Sequence, residues 1–405
     1  MKNKANVLIS YTQEQLISLL FKLTHKTAAQ HFTRESPLGF KNTMLLVLNL
    51  IKKSIKVELM DYFYQLNKET ETPSRQALSK SREKISYLAF KDFFDKSCEL
   101  ALDGEGARLY KGYRLFAVDG TSFVVGNLSK LAEYFGQSTT VPGKAMCRIS
   151  GIVDVLNDCI VNAAVSPFSI GERALAIEQI DELKIISNAL FLFDRGYWSP
   201  ELVSKIIKNK QKFLMRLASN TGETTITDEN GKELRQCSFT LSSGEKEVLL
   251  TNVSEKEMTN DELFALYAKR WGIETKYLEL KDRLQIDKFS GESANIVLQD
   301  IYSTLYISNL VAFICFESDE TIKERTAVKG NKYEQKTNRS TCISALRKRF
   351  VDICMLEDPI ALNTALGRLF NDISKDVTYI NKSQSRPRNK KQIKNARRSS
   401  FKAVL

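Results

Sequence analysis

Asp119 and Asp194 share a local setting: each ends an apolar run, YRLFAVD and ALFLFD, and each is followed closely by glycine. In α/β sheets ligands gather just beyond the carboxyl ends of strands, so two such aspartates on neighbouring strands can hold a divalent cation through oxygen ligands. Asp-Gly pairs also open ordinary turns, and for either residue alone that reading stands beside the functional one. A third carboxylate comes from LYAKRWGIETKYLELKDRL. At about 100° per residue, with Tyr267 at zero, Arg270 falls at about 300°, Glu274 at about 340° and Lys281 at about 320°, one narrow polar stripe. Leu266, Ile273, Tyr277, Leu280 and Leu284 fill the adjacent arc, so a helix packed by them presents the Tyr-Arg-Glu-Lys stripe along the edge of a core. Because Arg270 and Glu274 are an i,i+4 pair, a plain salt-bridged face explains the stripe as well.

Composition removes most competitors of carboxylate chemistry. The chain has two histidines, His25 and His31, remote from both aspartates, which disfavours zinc hydrolysis and Ser-His-Asp or Cys-His catalysis. Seven scattered cysteines without a C-x-x-C pair argue against a disulfide framework or a four-ligand zinc site and fit a reducing cytosol. Neither Gly143-Lys144 nor Gly231-Lys232 lies in a G-x4-G-K-[ST] frame, which disfavours nucleotide hydrolysis. The start, MKNKANVLISYTQEQL, carries no apolar signal region. The longest apolar stretch, Ser303 to Phe316, is shorter than the roughly 20 residues that span a bilayer and contains Asn309. It predicts a buried core helix and no membrane partner.

Periodicity gives the elements that must carry these residues. Over the first ~110 residues, QEQLISLLFKL and TMLLVLNLIKKSIKVELMDYFYQL place apolar residues three and four apart, as helices do. Thr72-Pro73-Ser74 reads as a helix start, with Thr72 the cap and Pro73 in the first turn. The helix that follows, SRQALSKSREKI, carries Arg75, Lys80, Arg82 and Lys84. A helix, a short turn and a basic helix outline a helix-turn-helix DNA reader, and equally an exposed helical hairpin. From about Tyr110 strands take over: YRLFAVDG, then AMCRISGIVDVL and CIVNAAVSPF around an Asn157-Asp158 turn. Helices over 172–186 and 200–208 precede the strands ALFLFDRG and KFLMRL. Residues 219–257 read as short strands with turn chemistry at Asp228-Glu229-Asn230-Gly231, and from about Asn260 to Asp376 the chain is mostly helical.

The net charge of +12 is uneven. Residues 1–60 carry +6, the acid-free segment from Val377 onward +9, and the stretch between them −3. Basic ends suit phosphate-backbone contacts, whose strength comes from counterion release; a tail such as RPRNKKQIKNARR also serves as a solvated solubility segment.

The spacing Y-x2-R-x3-E-x6-K, met by Tyr267, Arg270, Glu274 and Lys281, resembles the signature of the insertion sequence four family of bacterial transposases. AVDGTSF around Asp119, LFDRGYWSPEL around Asp194 and LLTNVSEKEMTNDELFALYAKRWGIE before Glu274 resemble its conserved blocks, in the family's order. TPSRQALSKSREKISYLAFKDFF resembles its N-terminal DNA-binding region. The resemblance implies an α/β, ribonuclease H-like catalytic core, a mixed sheet flanked by helices, with an all-β insertion and an N-terminal helical DNA-binding domain. The implied divisions are 1–108, 109–218, 219–257 (the insertion), 258–376 and a basic tail, 377–405. It implies Asp119, Asp194 and Glu274 as the catalytic and metal-binding triad, with two Mg²⁺ ions (Mn²⁺ as a substitute) about 4 Å apart in the manner of two-metal phosphoryl transfer. Tyr267, Arg270 and Lys281 are implied as contacts to DNA near the scissile bond, and Arg75, Lys80, Arg82, Lys84 and Arg195 are further candidates.

The expected partners are transposon terminal inverted repeats, target DNA and a second copy of the chain in the synaptic complex. The expected place is the bacterial cytoplasm, at the nucleoid when bound to DNA. Cleavage of the transposon end would be followed by strand transfer, in a cut-and-paste scheme. Some relatives hold a flipped base with an aromatic residue, often Trp, in the β insertion; here Phe239 is the sole aromatic in 219–257, while Trp198 and Trp271 lie outside, so a hairpin step stays open. The alternatives are a catalytically silent or domesticated DNA-binding relative and a ribonuclease H-like nuclease.

Overall fold

The computed structural model describes residues 3–126, 129–137, 143–218, 225–240, 244, 246–329 and 333–380. The basic tail beyond 380 lies outside the described residues. Six helices come first: α1 (Lys4–Ile17), α2 (Leu19–His25), α3 (Phe40–Leu48), α4 (Ile55–Gln65), α5 (Arg75–Glu83) and α6 (Leu88–Leu102). The N-cap of α5 is Ser74, whose hydroxyl accepts from the Ala77 N–H, so the cap lies two residues after the expected Thr72. Thr72 instead follows a single 3-10 turn, Glu69–Glu71.

The sheet is built around β1 (Arg114–Gly126). On one side β2 (Ala145–Asp154) and β3 (Cys159–Pro167) add in antiparallel fashion, joined by the expected turn with Asp158 in the left-handed region at φ 55°. Helix α7 (Ser129–Phe135) precedes β2. On the other side β4 (Ala189–Phe193) and β5 (Lys212–Arg216) run parallel to β1, the first reached through α8 (Glu172–Glu182) and the second through α9 (Pro200–Lys208). Helix α9 starts where Ser199 caps it and Pro200 fills its first position. Within 219–257 the described strands are β6 (Arg235–Thr240) and β7 (Lys246–Thr251). They do not stand apart as a separate module: β7 pairs with β5, and the sheet order is β3-β2-β1-β4-β5-β7-β6. Burial of Leu249 and Leu250 against the same core accounts for the continuation.

The remaining helices are α10 (Asn260–Tyr267), α11 (Trp271–Leu278), α12 (Ala294–Lys329), α13 (Arg339–Met355) and α14 (Pro359–Ile373). A short ribbon of β8 (Gln335–Thr337) and β9 (Val377–Tyr379) closes the described chain. Helix α12 is apolar enough over Ala294–Ala327 to cross a bilayer, but its apolar window is entirely enclosed by protein, as expected for 303–316. A helix apolar on all sides is a core helix. The one amide of 303–316, Asn309, donates to Ser97 Oγ at 2.9 Å and the Ile160 carbonyl at 2.8 Å and accepts from the Ile160 N–H at 2.8 Å. Through such contacts one hydrophobic core runs from Ala5 to Ile373, uniting the N-terminal helices with the sheet and the C-terminal helices.

Candidate active site

Asp119 lies in the middle of β1, not at its end as the Asp-Gly pair suggested. Pairing with β4 stops at Ala117 while pairing with β2 continues to Gly126, so the second neighbour keeps the strand extended. Asp119 to Ser122 is the half-exposed stretch of an otherwise buried strand. The site therefore opens where β1 loses its parallel partner. Asp119 Oδ1 accepts from the Gly120 N–H at 2.9 Å. Asp194 follows β4 directly, and its Oδ1 accepts from the Gly196 N–H at 2.6 Å, capping a single turn, Arg195–Tyr197. Asp194 is thus a turn-former that also sits at a strand's carboxyl end.

Glu274 reaches the site on a helix that is not uniform. Helix α10 opens with a capping box between Thr259 and Glu262 and ends at Tyr267. A 3-10 turn, Ala268–Arg270, then leads into α11, and a π turn, Glu279–Arg283, follows it. The expected apolar arc holds despite these changes of pitch: Leu266, Ile273, Tyr277, Leu280 and Leu284 are all buried. Tyr277 ties α11 to the strand, its hydroxyl donating to the Asp119 carbonyl at 2.7 Å. Room for that ring exists because the residue opposite Asp119 on β2 is Gly151; a Cβ there would meet the hydroxyl at 2.8 Å.

Along the stripe, Arg270 Nη2 donates to Glu274 Oε1 at 2.7 Å, and its guanidinium lies 5.8 Å from the centre of the Tyr267 ring. Burial pushes the Tyr267 hydroxyl up to about 12. Lys281, in the π turn, donates to Thr121 Oγ1 at 2.5 Å, two residues beyond Asp119. Burial raises Asp119 to about 6 against the opposing pull of the Gly120 N–H and Arg270, and the carboxylates of Asp194 and Glu172 push it further up. Arg270, bonded to Glu274, also lowers the Asp119 carboxyl electrostatically.

Glu172 was not legible as a site residue, because an acid in the first turn of a helix is ordinary. In space its carboxyl lies on the backbone beside Asp119: a Cβ on Gly120 would stand 2.6 Å from Glu172 Cδ. Its neighbour Arg173 donates to the Gly196 carbonyl at 2.8 Å, so the first two residues of α8 touch both aspartate segments. Tyr197, in the Asp194 turn, is buried, with no hydrogen-bond partner for its hydroxyl among the described residues. Asp119, Glu172 and Asp194 all raise its pKa further after burial has done so. Oxygen donors and an unsatisfied hydroxyl suit a hard divalent cation in chemical type. In this conformation Glu274 is held by Arg270, and among the described residues no three His, Cys, Asp or Glu side chains are gathered closely enough to hold a metal ion.

The other candidate DNA contacts divide sharply. Arg75 and Lys80 are exposed on α5, Arg195 is exposed in the turn after Asp194, and Lys84 is half-buried with its ammonium 6.0 Å from the Phe32 ring centre. Arg82 points the other way. It is buried, bonded to Gln299 Oε1, Ser290 Oγ, the Ile296 carbonyl and Asp300 Oδ1. It cannot belong to an exposed basic stripe; it fastens α5 to α12. Trp198 packs partly buried against the core, and Phe239 lies 4.5 Å from Phe264 between ring centres.

Residues 110–310 match the family described as "Transposase DDE domain". The chain is also similar to an Escherichia coli (strain K12) protein named "Putative transposase InsZ", 24% identical over 139 residues that take in 32% of this chain and 44% of that protein. The match thus spans less than half of that relative. A structure titled as a cryo-EM structure of the piggyBac transposase synaptic complex with hairpin DNA superposes with a TM-score of 0.45 at 11% identity, covering 89% of this chain and 85% of that one. Asp119, Asp194, Tyr267, Arg270, Glu274 and Lys281 all fall within 110–310, so the whole candidate site lies inside the segment that matches a transposase DDE domain.

Proposed function

We propose that the chain is a DNA transposase of an insertion sequence, of the Y-R-E-K type and with a ribonuclease H-like core, that cuts transposon ends and joins them to target DNA. What supports this reading is that Asp119, Asp194 and the bonded pair Arg270–Glu274 all lie within the segment 110–310 that matches a transposase DDE domain. Asp119, Asp194 and Glu274 would hold Mg²⁺ or Mn²⁺, with Glu274 leaving Arg270 to do so. Divalent cations so held supply charge that activates the attacking oxygen and stabilises the leaving one in an in-line displacement.

The chain's own residues do the rest. Arg270, once released from Glu274, offers a planar fork to a phosphate at the mouth of the site. Lys281, anchored at Thr121, places a second cation beside the strand that carries Asp119. Tyr267 backs the guanidinium of Arg270 and packs against the core. Exposed Arg75, Lys80 and Arg195 extend the cationic surface, and the tail from Val377 adds sequence-independent grip. Two copies of the chain pair the two transposon ends, in the cytoplasm of a bacterium.

The test is strand cleavage on a duplex carrying the element's own terminal inverted repeats, with Mg²⁺ or Mn²⁺. Asp119→Ala, Asp194→Ala and Glu274→Ala should bind that duplex and leave it uncut. Normal cutting by those variants would remove the triad, and binding without cutting by the unaltered chain would leave the silent relative. Deleting the basic tail beyond Ile380, which leaves β9 in place, should weaken binding and flatten its dependence on salt.

A further inference from the structure

Behind the Glu274 helix lies a ring of four charges that the proposed chemistry does not use. Lys276 follows Glu274 by two residues, which turns it to nearly the opposite side of the helix, and its side chain is only 1% exposed. Its ammonium contacts Asp158 Oδ1 at 2.8 Å and Glu279 Oε1 at 3.0 Å. Arg339, the first residue of α13, closes the ring by reaching Asp158 Oδ2 and Glu279 Oε2, the latter at 3.3 Å. Two cations and two anions therefore join three separate segments: the β2–β3 turn, the Glu274 helix and the start of α13.

A ring of this kind is an expensive way to stabilise a core. Taking charges out of water costs about as much as their attraction returns, and apolar residues of similar volume often do as well or better. What it supplies is geometry, because each charge fixes two others in direction and distance. Glu279 is also the first residue of the π turn, whose i→i+5 bond runs from the Leu284 N–H to the Glu279 carbonyl at 3.0 Å. That turn sets where Lys281 leaves the helix. On the other side Tyr277 pins the same helix to the Asp119 carbonyl. Glu274 thus rides on a segment clamped at both faces.

We propose that Lys276, Glu279, Asp158 and Arg339 form a positioning device that holds Glu274 in register with β1, and so controls the rate of strand cleavage without contributing to DNA affinity. The inference rests on the reading of Asp119, Asp194 and Glu274 as the cleavage site.

The experiment uses the full chain and a labelled duplex carrying the inverted repeats that flank this coding sequence. Lys276→Met combined with Glu279→Leu removes one cation and one anion together, leaving Asp158 and Arg339 paired. Its thermal midpoint and its affinity in a gel-shift titration should match the unaltered chain, while the single-turnover cleavage rate falls by ~10- to 100-fold, the scale of a misplaced catalytic group. Lys276→Arg, which keeps charge and reach, should cleave within a few-fold of the unaltered chain. A double variant that cleaves at the unaltered rate, while Glu274→Ala is dead, overturns the device. If Glu274→Ala itself cleaves normally, the site reading fails instead, and the two failures are told apart by that one control. Should the double variant melt early, Arg339→Lys decides: slow cleavage at an unchanged midpoint supports the device, and normal cleavage overturns it.

Discussion

Two arginine–carboxylate pairs, one in the N-terminal helices and one in the candidate site, show how differently the same chemistry is used. Arg82 and Asp300 have side chains 2% and 7% exposed, and Arg82 has four partners drawn from α12 and the loop before it. Arg270 and Glu274 are 13% and 29% exposed and share one bond of 2.7 Å, four residues apart on one helical segment. The first pair is fully satisfied and encased, so neither charge can leave without stranding the other. The second is partly open to solvent, so under the proposed function a phosphate would take the place of the carboxylate on arginine and a cation that of arginine on the carboxylate. Burial and the number of partners, more than the ion pair itself, separate a strut from a movable group.

The sharpest way to break this comparison is Arg82→Met. It should destabilise the chain by about 3–5 kcal/mol in a denaturant titration, since Asp300 is left buried and uncompensated. Arg75→Ala and Lys80→Ala on the same helix should change stability by less than about 0.5 kcal/mol and show their effect in duplex binding instead. A mild Arg82→Met, or a loss of DNA affinity in a fully folded form of it, would return Arg82 to the basic stripe.

Arg270→Gln should do the reverse. Its pair with Glu274 is partly exposed and worth about 1 kcal/mol or less, so the thermal midpoint should barely move. Cleavage should fall by ~10²-fold, the usual loss when one charge-stabilising donor is removed from a reaction site. An unchanged rate would make the pair the plain salt-bridged face that helical spacing also allowed.

A third, smaller effect probes the clamp between the site and the sheet. Gly151→Ala puts a methyl group where the Tyr277 hydroxyl now stands, 2.8 Å from the new carbon. The ring is rigid and buried, so the strand or α11 must give way, at about 1–3 kcal/mol. Midpoint and cleavage should fall together, and Tyr277→Phe in the same background should recover part of the stability by relieving the contact. No recovery would place the strain in the β2 backbone.

The contrast between the two pairs also explains which parts of the molecule could be read in advance. The α9 start at Ser199-Pro200, the β2–β3 turn and the apolar arc from Leu266 to Leu284 are local signals, and all three are present. Arg82 failed because what buries it lies on α12, more than 200 residues further on; a charge pattern along one helix carries no record of a distant partner. The length of β1 failed for a related reason, since Gly120 reads as a turn while the pairing that holds it extended comes from β2. Even spacing along the Glu274 helix hid a 3-10 turn and a π turn, yet the apolar arc of Leu266, Ile273, Tyr277, Leu280 and Leu284 stays buried through both. Glu172 gave no signal, because its proximity to Asp119 exists only once α8 is laid beside β1.

The smallest expected effect concerns a third pair, His25 and Asp92, in which a buried imidazole meets a carboxylate more exposed than that of either other pair. His25 Nε2 lies 2.9 Å from Asp92 Oδ2, with a side chain 7% exposed against 45% for the aspartate. Its ring packs against Phe21 at 4.3 Å between centres. Burial lowers the imidazole below its ordinary 6.5, outweighing the attraction of Asp92. A depressed imidazole means that the unfolded chain takes up the proton more readily. The contribution to stability is therefore complete above pH 6.5 and is lost as the pH falls below it. The thermal midpoint should drop between pH 7.5 and 5.5, and His25→Gln should flatten that portion of the curve. Were the ion pair to dominate burial, the sign would reverse, and the unaltered chain would gain stability over His25→Gln as the solution is acidified.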